Sequence, residues 1–289
     1  MRTLDLEAVR IFRTVVDEGG VIRAANKLNR VQSSVTTRIR QLEEHLGARL
    51  FRREGRAIRL SAEGHILLAY ADRLLRLADE AVSEMRSGRP KGVFRLGSLE
   101  STAGSRLAPI LSRYHALYPD VTVELATGTA GALVTRIINF ELEAAFVSDP
   151  FTAPSLEARP VFEERLVLIT SKAVGRVSSP ADLGRSTLIA FAQGCSYRRR
   201  VEQWLGSADA VPKRVLEFAS YQAMITCVAA GTGFAVVPKS VLQALRASQG
   251  VCQHALPKRF AHSRTHIVWN GEPSPALRGL LSLLASLKG

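Results

Sequence analysis

Apolar residues recur at helical spacing at the start of the chain, and the first set is Leu4, Ala8, Ile11, Phe12 and Val15. This spacing predicts an amphipathic helix over residues 4–17, which ends at the glycines of DEGG (17–20). The next segment, VIRAANKLN (21–29), predicts a short helix that buries Ala24, Ala25 and Leu28. The chain therefore opens with two helices joined by a tight turn.

A third helix is predicted over residues 32–46, and its two sides differ in polarity. One stripe is apolar and consists of Val35, Ile39, Leu42 and Leu46. The opposite side carries Ser33, Thr37, Arg40 and Glu44, with Thr36 beside them. Short hydroxyl side chains reach base edges and phosphates, and arginines add bidentate contacts, so this side suits the major groove of DNA. A helix, a tight turn and a polar-faced helix form a helix-turn-helix.

The segment GARLFRREGRAIRLSAEG (47–64) predicts a two-stranded hairpin, or wing, next to these helices. Apolar pairs at 50–51 and at 58 and 60 flank four arginines around Glu54-Gly55, and arginines at such a tip follow the phosphate backbone. The alternative is a solvated three-helix domain with a charged surface.

The distribution of charge favours the DNA-binding interpretation. The formal net charge is +13, and residues 20–60 hold ten Lys and Arg against three acids. A local surplus of this kind favours a polyanion partner, here double-stranded DNA. The candidate DNA-binding residues are Arg23, Gln32, Ser33, Ser34, Thr36, Thr37, Arg38, Arg40, Arg52, Arg53 and Arg56.

A long helix is predicted after the wing, from a cap at Ser61 to about Met85 or Ser87. Its apolar residues repeat as a heptad seam, which indicates pairing with a second copy, and they are Leu67, Ala71, Leu74, Ala78, Ala81 and Met85. A second stripe, Leu68, Leu75 and Val82, faces either the winged domain or the partner. The alternative is one long core helix. SGRPKG (87–92) then predicts a hinge.

From residue 93 the pattern changes to strands that alternate with helices, which predicts an α/β domain with largely parallel sheets. PVFEERLVLIT (160–170) and THIVWN (265–270) each predict a strand that crosses between two lobes. The predicted domains are 1–60 for the winged helix-turn-helix, 61–87 for the linker helix and 88–289 for the two-lobed domain. Within the last, lobe I is 92–162 with 267–289, and lobe II is 163–266.

Hydroxyl side chains follow several strands of this domain, where ligands bind in open α/β sheets. Each one alone has a second interpretation, as the cap of a helix, but together they predict a pocket between the lobes. Glu100 among them either binds an amine or is solvated. The candidates are Ser98, Glu100, Ser101, Thr102, Thr127, Thr129, Ser148, Cys195, Ser196, Tyr197, Ser220 and Tyr221.

Cys195 is a special case because it lies at a predicted helix start beside Arg198, Arg199 and Arg200, which would lower the pKa of a thiol. A redox switch is therefore one interpretation, and a pocket-lining or packing cysteine is the other. The remaining cysteines, Cys227 and Cys252, form no CxxC pair and no zinc spacing, so neither a metal site nor a cofactor is predicted.

The segment AANKLNRVQSSVTTRIRQLEEHLGARLFRREGRAIRLSAEG (24–64) resembles the winged helix-turn-helix of LysR-type transcriptional regulators. It departs from the family pattern at Val31, Thr36, Thr37, Arg38 and Ser61, which bears on the base contacts. LGSLESTAGSRLAPILSRYHALYPDVTVEL and VAAGTGFAVVPKSV resemble the effector domain of the same family. The matching positions of the first segment are Ala24, Ala25, Leu28, Gln32, Ser33, Val35, Ile39, Leu42, Glu43, Leu46, Gly47, Leu50, Phe51, Arg53, Leu60 and Gly64.

The resemblance implies a fold class and a set of partners. The fold class is α/β with an N-terminal winged helix-turn-helix dominated by α-helix, a long linker helix and a two-lobed effector domain like a periplasmic binding protein. The expected function is ligand-responsive transcription regulation, with a homodimer formed through the linker helix, often a dimer of dimers. A small-molecule effector, a small carboxylate or an amino-acid-like compound, would bind the cleft, and an activator would contact RNA polymerase. One branch of the family senses peroxide through cysteines.

Other functional classes fit the sequence less well. An enzyme is not predicted, because the sequence has no nucleophile–His–acid set, GxSxG motif, P-loop or metal cluster. A solute-binding protein would need a signal peptide, and an architectural DNA-binding protein would leave the two lobes unexplained. The first residues lack an apolar signal core and no apolar run approaches a membrane span, so a cytoplasmic protein with no membrane partner is expected.

Overall fold

The computed structural model describes residues 4–54, 57–87 and 90–287, without the side chains of residues 53, 54, 57, 76, 80 and 83–87. The chain forms two compact units, Met1–Arg89 and Pro90–Gly289. The long helix belongs to the first unit. Of the predicted site residues, Arg56 lies outside the described residues, and the side chains of Arg53 and Met85 are not described.

The first unit is a winged helix-turn-helix followed by a long helix. Its elements are α1 (Leu6–Asp17), α2 (Val21–Lys27), α3 (Gln32–Leu46), β1 (Phe51–Glu54), β2 (Ala57–Leu60) and α4 (Ala62–Ser87). Helix α3 ends where Gly47 adopts a left-handed conformation with a φ of 66°. The hydroxyl of Ser61 accepts a hydrogen bond from the amide of Gly64 and so caps α4 as predicted.

Helix α4 packs against the rest of this unit through part of the predicted heptad seam. Leu67 and Ala71 are buried in the core formed with α1 and α3, and Leu68 and Leu75 pack against that core. The prediction that Leu67 and Ala71 pair with a second copy is therefore wrong for these two positions, because α1 already covers them. Ion pairs Arg13–Asp72 and Arg10–Asp79 hold the two helices together.

The second unit alternates strands and helices. Its strands are β3 (Gly92–Ser98), β4 (Val121–Thr127), β5 (Ala144–Ser148), β6 (Glu157–Thr170), β7 (Leu188–Ala190), β8 (Val215–Glu217), β9 (Ala235–Pro238), β10 (Cys252–Ala255) and β11 (His262–Trp269). Its helices are α5 (Glu100–Thr102), continued by a π-helical turn (Ala103–Leu107) into α6 (Ala108–Leu117), then α7 (Ala130–Ile138), α8 (Ser196–Gly206), α9 (Tyr221–Ala229), α10 (Lys239–Ala244), α11 (Lys258–Ala261) and α12 (Pro275–Ser286).

Two long strands, β6 and β11, cross between two lobes and pair with each other antiparallel. The main sheet has the order β10-β6-β11-β5-β3-β4, with β9 also paired to β6. Strand β3 is parallel to β4 and to β5, and β7 is parallel to β8. The prediction of largely parallel sheets is wrong around β6 and β11, because the chain leaves lobe I along one crossing strand and returns along the other.

Each lobe has its own apolar core. Lobe I packs β3, β5, α6 and α12 around Phe94, Tyr114 and Phe146, with a second cluster under α7. Lobe II packs the second half of β6 with β7, β9, α8, α9 and α10 around Trp204, Met224 and Phe234. The two lobes contact each other at Ser148, at the end of β5, and Ser196, at the start of α8.

Candidate functional sites

Helix α3 has a buried side and an exposed polar side, as predicted. Val35, Ile39 and Leu42 are buried, whereas Leu46, predicted on the same stripe, is 39% exposed because the helix ends there. Of the candidate DNA-binding residues on α3, the exposed ones are Gln32, Ser33, Thr37 and Arg40, and the half-buried ones are Ser34, Thr36 and Arg38. The exposed side is therefore lined by one amide, two hydroxyls and a guanidinium.

Arg23, a DNA-binding candidate, is exposed and also contacts the end of α1. Its guanidinium donates hydrogen bonds to the carbonyl oxygens of Glu18 and Gly19, where α1 ends. Those carbonyls lack partners within the helix, so Arg23 acts as a cap. This contact is a structural role that the sequence analysis missed. A guanidinium nitrogen of Arg38 lies 3.9 Å from a carboxylate oxygen of Asp5, and both side chains are about half exposed.

The wing is an antiparallel hairpin that places two arginines side by side. Arg52 lies directly opposite Arg59 in the ladder, and side chains directly opposite in antiparallel strands share a face. Both side chains are exposed, so this face of the wing presents two guanidinium groups that suit a DNA phosphate. Arg59 was counted in the basic surplus but was not singled out as a DNA-binding candidate.

A buried acid connects α3 to the wing. The carboxylate of Glu43 accepts hydrogen bonds from the amide of Leu50 at 2.8 Å and from the guanidinium of Arg49 at 3.0 Å, and the amide of Phe51 lies 3.4 Å away. Glu43 is only 8% exposed, so its bond to the amide of Leu50 is shielded from water. The polar face of α3 and the start of the wing are consequently held in one arrangement.

In the second unit, the lobes meet through a layer of buried hydroxyls. The hydroxyls of Ser148 in lobe I and Ser196 in lobe II are hydrogen-bonded to each other. The phenol groups of Tyr197 and Tyr221 lie close to the hydroxyl of Ser101. These five predicted residues are thus brought together at the cleft from β5, α5, α8 and α9.

Glu100 lies on the same wall of the cleft and is half buried. Burial raises the pKa of its carboxyl group, and the backbone amide of Tyr221 in lobe II partly opposes this rise. Its carboxylate therefore faces the positive N-terminus of α9 across the cleft. Because the group is desolvated, its charge acts strongly on any ligand placed beside it.

The other predicted cleft residues have more local roles. Thr129 caps α7 by accepting from the amide of Ala132, and it lies next to Gly194 of lobe II. Ser220 caps α9, and Ser98 donates to the carbonyl oxygen of Leu99. Thr102 is buried. Thr127 is exposed at the end of β4, and no described contact brings it to the hydroxyl layer.

Two of the three arginines beside Cys195 form ion pairs with acids, and the expected lowering of the pKa of its thiol is not observed. Arg198 pairs with Glu202 and Glu217, and Arg200 pairs with Asp149 of lobe I. Burial raises the pKa of the Cys195 thiol, despite the amides of Arg198 and Tyr197 beside it. Buried thiols with a raised pKa are poor nucleophiles, so Cys195 is a packing and cleft-lining residue in this structure.

Across the described residues, no cluster of three or more His, Cys, Asp or Glu side chains is arranged to hold a metal ion. Within the same ranges, no helix combines the length and the apolar character needed to span a membrane.

Two family models match the chain, one in each unit. The family described as "LysR substrate binding domain" matches residues 87–288, and "Bacterial regulatory helix-turn-helix protein, lysR family" matches residues 6–65. The chain belongs to the LysR family. It is a LysR-type transcriptional regulator with a DNA-binding winged helix-turn-helix and a two-lobed effector-binding domain, as the sequence predicted.

Curated relatives of this LysR-type regulator extend over almost its whole length. It is 33% identical over 282 residues to the HTH-type transcriptional regulator GltR of Bacillus subtilis (strain 168), covering 96% of this chain and 95% of that protein. It is 35% identical over 263 residues to the HTH-type transcriptional regulator CzcR of Bacillus thuringiensis subsp. konkukian (strain 97-27), covering 91% and 90%.

Solved structures share the fold of this LysR-type regulator. Full-length CbnR complexed with its target DNA has a TM-score of 0.70 at 23% identity, covering 98% of this chain and 99% of that one. A full-length OxyR variant from Pseudomonas aeruginosa has a TM-score of 0.75 at 20% identity, covering 99% and 95%. The predicted fold class is confirmed. The cysteine-based redox alternative is not favoured, since identity at this level shows the fold alone.

Proposed function

We propose that the exposed side of α3 reads base edges in the major groove and that the wing contacts the flanking phosphates. The observation that carries this proposal is the exposure of Gln32, Ser33, Thr37 and Arg40 on one side of a helix whose other side is packed. Short polar side chains on such a helix form hydrogen bonds to base edges, and Arg40 adds a guanidinium. Arg52 and Arg59 supply positive charge on the wing.

The cleft of the second unit is the proposed effector site. Its hydroxyl layer joins the two lobes, so a ligand there would change how they contact each other and shift the population of DNA-binding arrangements. The effector proposed from the sequence is a small carboxylate or an amino-acid-like compound. A regulator of this kind acts in the cytoplasm and contacts RNA polymerase where it activates.

Two substitutions separate base reading from phosphate binding. Thr37→Ala is expected to change the preferred sequence, with a loss of about 1–3 kcal/mol on the wild-type site and little change on random duplex. Arg52→Ala is expected to weaken binding to both and to reduce the salt slope by about one. The measurement is fluorescence anisotropy over a salt series, on a site selected by the wild-type protein from a random duplex library.

The matched control is Arg113→Ala, at an exposed arginine on α6 of the second unit, which is expected to leave both affinities unchanged. Equal losses for Thr37→Ala on selected and random duplexes would contradict the base-reading role. Failure of the wild-type protein to enrich any site would contradict sequence-specific binding altogether.

We infer that dimerisation uses the outer side of α4. Leu67 and Ala71 are buried within one chain, but Ile66, Tyr70 and Leu77 are exposed by 61%, 54% and 64%. These three residues lie within one narrow stripe of the helix, with the half-buried Leu74 and the exposed Ala81 beside it. An apolar stripe of this kind pairs well with a second copy, and of the predicted heptad seam it borders only Leu74 and Ala81. Homodimers joined through the second unit would give the expected homotetramer.

Leu77→Glu is expected to shift the protein towards monomers, because it puts a charge into the centre of this stripe. The measurement is sedimentation velocity at several micromolar concentrations. Ala69→Glu is the control, since residue 69 is exposed on α4 outside the stripe and the same charge there leaves the dimer intact. If both variants sediment like the wild type, the dimer interface is elsewhere.

A further inference from the structure

The residue at the start of α3 is an exposed valine. Val31 is the N-cap of α3 and is 69% exposed. An N-cap position favours Ser, Thr, Asp or Asn, because their side-chain oxygens accept a hydrogen bond from a free amide of the first turn. Valine has no such oxygen, so local helix stability does not account for Val31. The sequence analysis noted this residue as a departure from the family pattern and did not include it among the DNA-binding candidates.

Packing in the core does not account for Val31 either. Val31 lies four residues before the fully buried Val35, and this spacing alone predicts that both pack on the inner side of the helix. The backbone of Val31 is extended, with a φ of −78° and a ψ of 145°, so its side chain leaves the helical stripe. Val31 is consequently at the surface, whereas Val35 and Ile39 are in the core.

The backbone around Val31 is held on both sides. The carbonyl oxygen of Val31 accepts a hydrogen bond from the amide of Ser34 at 3.1 Å, and the amide of Arg30 donates to the carbonyl oxygen of Ala25 at 2.9 Å. The guanidinium of Arg30 is in turn bonded to Glu7 of α1. Because valine is branched at Cβ, its χ1 angle is restricted. The two methyl groups of Val31 are thus presented in a defined place, with little conformational entropy to lose on contact.

Val31 is continuous with the polar side of α3. Gln32 and Ser33 follow it directly, and both are exposed. In helix-turn-helix proteins the N-terminal residues of the second helix contact base edges in the major groove. The apolar group that base edges offer there is the 5-methyl group of thymine. The amide and hydroxyl of the neighbouring residues pair with donors and acceptors, so Val31 is the side chain at this end of α3 that suits the methyl group.

We propose that Val31 is a specificity-determining residue that packs against the 5-methyl group of one thymine in each half-site of the DNA. The contact removes two apolar groups from water, and a base without this methyl group cannot form it. Burying a group of this size contributes about 0.8 kcal/mol, which corresponds to about a fourfold change in affinity. This inference rests on the proposed role of α3 in the major groove, and it adds the base that the N-terminal end of the helix reads.

The first test changes the DNA by one methyl group. The wild-type protein selects a site from a random duplex library, and each thymine of that site is then replaced in turn by deoxyuridine, which pairs with adenine in the same way and lacks only the 5-methyl group. Fluorescence anisotropy is expected to show about a fourfold loss of affinity at one thymine of each half-site.

Val31→Ser is expected to bind the thymine and deoxyuridine duplexes at that position equally, because the side chain that contacts the methyl group has been removed. The proposal is overturned if the wild type responds to deoxyuridine at no thymine of the site. It is also overturned if the thymine that matters to the wild type matters as much to Val31→Ser.

The second test separates a DNA contact from a structural role. Val31→Ser supplies a capping hydroxyl, so the Tm of the full-length protein is expected to stay unchanged or to rise by up to about 4 °C. Its affinity for random duplex and its salt slope are expected to stay at the wild-type values, because no charge changes. A lowered Tm, or equal losses on random and selected duplexes, would show that Val31 supports the fold of the winged unit and would overturn the proposal.

The matched control is Val211→Ser. Val211 is 74% exposed and lies in the second unit, so the same side chain is replaced at similar exposure outside the winged unit. This variant is expected to keep the wild-type difference between the thymine and deoxyuridine duplexes. Loss of that difference in Val211→Ser as well would contradict its assignment to Val31.

Failure of this inference is distinguishable from failure of the proposed function. If the wild type selects no DNA site, α3 does not read bases and both fail. If the wild type selects a site, Thr37→Ala changes the preferred sequence and deoxyuridine has no effect at any thymine, the proposed function stands and only the role of Val31 fails.

Discussion

Gly64→Ala is expected to destabilise the winged unit by about 3 kcal/mol or more, although alanine is the better helix former. Gly64 lies in the first turn of α4, where a Cβ atom would come within 2.1 Å of the carbonyl oxygen of Leu50. That oxygen belongs to the backbone at the start of the wing, which cannot move without losing the bonds to Glu43. The propensity gain of about 1 kcal/mol is smaller than the cost of this clash.

The measurement is urea unfolding followed by circular dichroism, with DNA affinity as a second observable. Gly20→Ala is the control in the same unit, because a Cβ atom there meets nothing within 4 Å and the backbone is extended. It is expected to change the free energy of unfolding by less than about 1 kcal/mol. Equal stability of Gly64→Ala and the wild type would show that Gly64 of α4 and the carbonyl oxygen of Leu50 are not in close contact.

Asp149→Ala is expected to destabilise the second unit by about 3 kcal/mol, because it leaves the guanidinium of Arg200 buried without its counterion. The carboxylate of Asp149 lies 2.7 Å from Arg200 of lobe II and also accepts from the hydroxyl of Ser263 and the amide of Arg264. The side chain of Arg200 is only 12% exposed, so water replaces the lost carboxylate poorly. Thermal unfolding of the full-length chain measures the effect.

The control for this prediction is Glu163→Ala. Glu163 pairs with Arg264, but the two side chains are 76% and 63% exposed, so the expected loss is below about 1 kcal/mol. A loss of similar size in both variants would mean that the Asp149–Arg200 pair is solvated.

The pH dependence of stability also distinguishes Asp149 from an ordinary surface carboxylate. Burial acts to raise the pKa of Asp149, but the amide of Arg264, the hydroxyl of Ser263 and the charge of Arg200 outweigh it, so its pKa lies below the usual value. The carboxylate therefore stabilises the folded protein above the unfolded-state pKa of about 3.9. This stabilisation is lost as the pH falls through the lower, folded-state pKa. In that range the stability of Asp149→Asn is expected to depend less on pH than that of the wild type.

The winged unit was largely predictable because its signals are local. Helices α1 to α3 follow from apolar spacing over a few turns, and the cap at Ser61 from its position before such a pattern. The packing of Leu67 and Ala71 against α1 was not predictable, because a heptad stripe does not show whether the partner helix belongs to the same chain or to another. The capping contact of Arg23 was not predictable either, since its acceptors are backbone carbonyls.

The second unit was predictable in its elements and less so in its contacts. The alternation of strands and helices predicted two lobes and two strands that cross between them. The relative direction of paired strands depends on where the chain re-enters the sheet, and no local pattern shows this. Hydroxyls at strand ends predicted Ser148 and Ser196 correctly as neighbours. The pairing of Thr265 with Ser148 was not predictable, because it joins strands that are far apart in sequence.

The order in which the lobes appear along the chain has a consequence for folding during synthesis. Lobe II is formed by the segment between β6 and β11, so all of its core emerges as one stretch. The core of lobe I also needs Ile267 and Trp269 of β11 and the leucines of α12, which follow lobe II. We expect lobe II to reach a native core first, while lobe I keeps an uncovered apolar face until β11 and α12 have been made. A chaperone that binds exposed apolar segments would therefore associate with lobe I of the nascent chain longer than with lobe II.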